Sequence, residues 1–115
     1  MALTKLINEM IADDQISFAK ISNEFKTSAV ISASDIDFST AQVFTKTLTA
    51  NTTFTFSNDA IGMVKDIILT GDFTVAFPAG VKIITGEYDG TVSNFIQVAV
   101  VGSGDYWLTI SQEAV

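Results

Sequence analysis

The chain has 115 residues, 48% of them hydrophobic and only 17% charged. Six lysines, no arginine and thirteen acidic residues give a net charge of −7, so the clustered cations of a duplex-binding protein are missing. Histidine and cysteine are absent, which removes the commonest general bases and the thiol nucleophile. No enzymatic activity, cofactor or metal is therefore expected.

Ordinary soluble domains carry about 25% charged residues. The apolar surplus, with a mean hydropathy of +0.40, is expected to meet other copies of the same chain. No apolar run approaches the roughly 18 residues of a membrane span, so membrane insertion is not expected. The first ten residues lack the apolar core of a secretory signal, which points to assembly in a cytoplasm.

In chain order, Leu3, Leu6, Ile7, Met10 and Ile11 fall at i, i+3, i+4, i+7 and i+8. This spacing paints one stripe on a short helix ending at Asp13-Asp14. Under three turns, such a helix is marginal alone and must pack on something: its own sheet, other copies, or a partner. Ile16, Phe18, Ile21 and Phe25 follow more loosely, with a second short helix over Phe18 to Phe25 weakened by Ser, Thr and Asn. Residues 1–34 read as an attachment segment, helical or extended, without a core of its own.

Residues 35–115 read as strands and turns. Phe44, Lys46 and Leu48 alternate with Val43, Thr45, Thr47 and Thr49. After Ala50-Asn51, the residues Thr52, Phe54 and Phe56 alternate with Thr53, Thr55 and Ser57. Two period-2 runs joined at Ala50-Asn51 predict a hairpin or a tight corner, with the Phe face as core. The Thr face is either wet or a seam between subunits. Ile61 to Thr70 carries apolar residues on both parities and predicts a strand covered on both faces. Phe73 to Phe77 alternates again, Pro78-Ala-Gly80 signals a turn, and Val81 to Ile84 follows. Gly86 to Gly90 forms a polar loop, Asn94 to Val101 is apolar, and Gly102 to Asp105 turns into a last strand, Tyr106 to Ser111. Seven or eight short strands at roughly ten-residue spacing predict an all-β fold, an antiparallel β-sandwich or jelly-roll-like knob.

The stretches Phe44 to Asn58, Ile67 to Gly71, Val75 to Lys82 and Tyr106 to Leu108 carry, in order, a pattern that resembles the fibre and spike β-domains of bacteriophage structural proteins. The likeness covers about two-thirds of the chain. It implies a homotrimeric virion protein without catalytic activity, assembled in the host bacterial cytoplasm. Absence of room for a shaft favours a head fibre or capsid decoration. The alternative is a tail-fibre tip or spike adhesin binding a host receptor or surface glycan. On this resemblance, Leu3, Leu6, Ile7, Met10 and Ile11 are the candidate contacts to a capsid or tail protein, or between subunits.

Other candidates are fewer. Glu87, Tyr88 and Asp89, on their glycine-bounded loop, and Trp107, beside Tyr106, are candidate ligand contacts, with a plain surface hairpin for the loop and core or interface packing for Trp107 as the simpler readings. Asp35 and Asp37 share a strand face and could pair over Ca²⁺ or as acid and base, but read better as solvated residues where a strand begins. Gly102-Ser-Gly104 precedes a strand, so the dinucleotide fingerprint fails.

Overall fold

The computed structural model describes residues 17–114, so the stripe from Leu3 to Ile11 lies outside the described residues. The expected second helix reduces to two 3₁₀ turns, Phe18–Lys20 and Asn23–Lys26. The Ser22 hydroxyl accepts from the Glu24 amide at the start of the second turn, and Ser, Asn and Thr compete too well for backbone bonds to let either grow.

Ten strands follow: β1 (Ser28–Val30), β2 (Asp35–Asp37), β3 (Val43–Thr47), β4 (Thr52–Thr53), β5 (Thr55–Ser57), β6 (Val64–Thr70), β7 (Val75–Ala76), β8 (Val81–Thr85), β9 (Asn94–Gly102) and β10 (Asp105–Gln112). The fold is nearly all β, as the alternation predicts. Its pairing is not that of an antiparallel sandwich. β1, β3 and β6 pair in parallel, β2 pairs β5 and β4 pairs β7 in parallel, and only the β6–β9 and β9–β10 pairs are antiparallel. The chain thus winds in stacked, solenoid-like coils, with the β9–β10 hairpin laid against β6. β8 returns to pair in parallel with β10 at the far edge of the six-stranded sheet.

The parallel pairing has a local physical cause. Ala50-Asn51 makes a corner rather than a hairpin. Beyond it, the Thr52 and Phe54 amides donate to the Thr74 and Ala76 carbonyls of the next coil instead of folding back on β3. Alternation along one strand fixes which side chains face inward but not which strand becomes its neighbour.

Inward alternation holds. Phe44, Leu48 and Phe54 are buried, as are Tyr106, Leu108 and Ile110 of β10. Ala29, Phe44, Ile67, Ile96 and Ile110 line up across five strands as one row of core residues. Phe56 bridges Phe38 and Tyr106, its ring centroid 5.0 Å from each. Two boundaries shift. The sheet takes in Ser28–Val30 and the core takes in Ile31, both within the expected attachment segment. On β6, Lys65, Ile67 and Leu69 are buried while Val64 is exposed and Ile68 half-buried, so the strand is covered on one face.

Candidate functional site

The outer face of the six-stranded sheet is set by the residues that alternate with the core. Register places Val64, Ala99 and Trp107 side by side on β6, β9 and β10, with Ile68 beside Phe95 further along the strands. Trp107 is 48% exposed and Phe95 41%. Val64, Val101 and Ile84 are exposed too. Between the two apolar rows runs a polar one, in which the Gln97 amide donates to Asp66 at 3.1 Å. Lys82 and Asp105 face each other at the edge, 3.6 Å apart. This face therefore carries little net charge and much half-covered apolar surface.

The loop Gly86 to Gly90 is built differently. Gly86 sits at φ +90°, a conformation that a Cβ would disfavour, and the space a Cβ would need is taken by the Ile110 carbonyl. The Tyr88 ring packs on the core and its hydroxyl donates to the Gly71 carbonyl at 2.7 Å. Burial, followed by the charges of Asp72 and Asp89, pushes the Tyr88 hydroxyl pKa up. Asp89 accepts from the hydroxyl and amide of Thr91, which hold its carboxyl below the usual value. Asn94, fully buried, locks the loop. Its side chain donates to the Asp89 and Val92 carbonyls and accepts from the Asp89 amide and the Gln112 side chain.

The sequence candidates do not converge on one site. The Glu87 carbonyl accepts from Gln112, five residues along β10 from Trp107, a separation of roughly 16 Å at strand rise. Glu87 is exposed, the Tyr88 hydroxyl is held by the Gly71 carbonyl, and one carboxylate oxygen of the exposed Asp89 is taken by Thr91. Asp35 and Asp37 are likewise occupied. Asp35 accepts from Thr55 and Ser57, tying β2 to β5. Asp37 accepts from the Ser39 hydroxyl and amide; the Ser39 hydroxyl bond, then Asn58, lowers its carboxyl pKa.

A second feature escapes alternation. Lys46 shares the inward parity of Phe44 and Leu48, yet it lines a surface cleft of about 310 Å³, and its ammonium donates to the Ile31 carbonyl at 3.1 Å. The cleft is walled by Ser32 to Ser34 on one side and Thr49 to Thr53 on the other. It exists because the first coil is short. Ala29 lies beside Phe44 and Ile36 beside Phe56, so β1 to β2 takes seven residues where β3 to β5 takes twelve. The corner at Thr49 to Thr53 therefore overhangs. A lysine on an apolar parity, between Phe44 and Leu48, is the sequence signal that marks the site. The buried Lys65, between Met63 and Ile67, carries the same signal with a different outcome: it pairs with Glu24.

Comparison with known proteins returns nothing: no family model, no curated protein and no solved structure matches the chain. Among the described residues, no helix is long and apolar enough to cross a membrane.

Proposed function

We propose that the chain is a structural accessory protein of a bacteriophage virion, a homotrimeric head fibre or capsid decoration that acts by binding and assembly rather than catalysis. The observation that carries this reading is the outer sheet face with Val64, Phe95, Val101 and Trp107. At a net charge of −7, copies repel over most of their surface, and the near-neutral apolar face is where that repulsion is least. Exposed apolar patches of this kind mark association surfaces.

The resemblance to phage fibre and spike domains supplies the trimer and the virion. Its stretches lie in chain order along the fold: Phe44 to Asn58 falls in the coil β3 to β5, Val75 to Lys82 covers β7 and the start of β8, and Tyr106 to Leu108 lies in β10. In this reading the sheet face forms the seam between subunits, and Leu3, Leu6, Ile7, Met10 and Ile11 dock the assembly on a capsid or tail protein.

Sedimentation equilibrium of the full chain tests the core of the proposal. A trimer at micromolar concentration is expected, and a monomer under those conditions overturns it. Deleting residues 1–13 should abolish incorporation into particles and leave the oligomer intact.

A further inference from the structure

We infer that the Lys46 cleft is a binding site for a small carboxylate-bearing sugar, of the uronic or sialic acid type. In a chain with thirteen acidic residues, the nine that line this cleft include a lysine and no carboxylate. Asp35, the nearest acid in sequence to the Ser32 to Ser34 wall, is held by Thr55 and Ser57.

The lysine itself is unusual. Lys65 pairs with Glu24 and Lys82 with Asp105, but Lys46 has no carboxylate within ion-pair distance among the described residues. It is half-buried, and its ammonium, which has three N–H donors, makes one hydrogen bond, to the Ile31 carbonyl. A partly desolvated ammonium with donors to spare gains from an anion placed beside it.

The remaining lining fits a polyhydroxylated ligand. Ser32, Ser34, Thr49 and Thr53 are exposed, and their hydroxyls make no hydrogen bond among the described residues. The overhanging strand adds a backbone edge. Thr52 and Phe54 turn their amides to β7, and Thr55 donates the other way, to the Ser34 carbonyl. By two-residue alternation, Thr53 presents its backbone toward the cleft. At about 310 Å³ the cleft is at the small end of ligand sites, suited to a monosaccharide. No aromatic ring lines it, so a neutral sugar finds no stacking platform, and the carboxylate must supply the affinity.

This inference stands apart from the assembly reading, since none of the cleft residues belongs to the apolar rows of the outer face. The test is an amide chemical-shift titration of the full chain with glucuronate and N-acetylneuraminate, with glucose and inorganic sulfate as controls. Saturable, millimolar binding of an acidic sugar is expected, with shifts confined to residues 32–34 and 46–53 and weakened by salt. Lys46→Met should lose roughly tenfold or more in affinity, the worth of one charge-assisted hydrogen bond, while Lys82→Met should bind as before. Ala33→Gln, which fills the cleft and leaves Lys46 in place, should abolish binding and carries the test if Lys46→Met does not fold. Absence of saturable shifts, equal binding of glucose, or full affinity in Lys46→Met or Ala33→Gln overturns the inference. Sulfate binding as tightly as glucuronate at the same residues also overturns it, by reducing the cleft to a generic anion site.

Discussion

The Lys65 ammonium lies 3.2 Å from the Glu24 carboxylate, joining the turn that precedes the first strand to the centre of the sheet. Lys65 is fully buried, its ammonium also donates to the Ala41 carbonyl at 2.9 Å, and the Phe25 ring lies 5.1 Å away. Removing only the carboxylate strands a charge in a low-dielectric site. Glu24→Gln should therefore cost about 3 kcal/mol, and the double variant Glu24→Gln with Lys65→Met should recover most of it. Urea unfolding of the four chains in this cycle measures the coupling.

Gly86 should tolerate no side chain. Gly86→Ala combines a positive φ with a clash against the Ile110 carbonyl and should lose roughly 2–4 kcal/mol. Gly62→Ala is the control, at φ +94° with open space around it, and should lose only about 1–2 kcal/mol. The difference in urea midpoint reads the clash alone.

Asn94→Leu keeps the branching of a buried side chain, at a larger volume, and removes its polar atoms. The Asp89 amide and the Asp89 and Val92 carbonyls lose their Asn94 partner, which should cost roughly 3 kcal/mol. Hydrogen exchange at the Asp89 amide should accelerate beyond what global destabilisation explains.

Stability should fall on the alkaline side. Burial, then the hydrogen bond to Asp59 at 3.0 Å, pushes the Tyr106 hydroxyl above its ordinary value of 10.0, and Tyr88 is raised as well. Both groups hold their protons longer folded than unfolded. Their contribution is full below about pH 10 and is lost as pH rises through the folded values. Tyrosinate absorbance should therefore appear later in native protein than in urea. Tyr106→Phe should flatten the alkaline fall in urea midpoint.

Trp107 is the single tryptophan and stands on the proposed seam. Its emission should shift to the blue as concentration rises through the association range. Trp107→Lys should weaken self-association by at least roughly tenfold while leaving the fold intact, because the side chain is outside the core. Sedimentation velocity follows both.

Inward-facing residues were readable because the period of two is local. Phe44, Leu48, Phe54, Leu108 and Ile110 could be assigned from their own strands. Strand partners were not readable, since the parallel stacking of β3 on β6 depends on an offset that no repeated motif announces. The burial of Asn94 and Lys65 was hidden for another reason. Their environments are made by backbone carbonyls and by a distant glutamate, neither of which leaves a trace in local pattern. The Lys46 cleft was half visible: its parity was plain, but the short first coil that opens it follows from two registers compared.

The stacking of β3 on β6 and of β4 on β7 uses one constant offset, with Phe44 beside Ile67 and Thr52 beside Val75, each twenty-three positions on. A coil of that length is a unit of growth. Duplicating residues 43–65 in frame would add one layer and keep the existing side-chain rows aligned. The fold can therefore lengthen in whole layers, which changes its reach without redesigning its core.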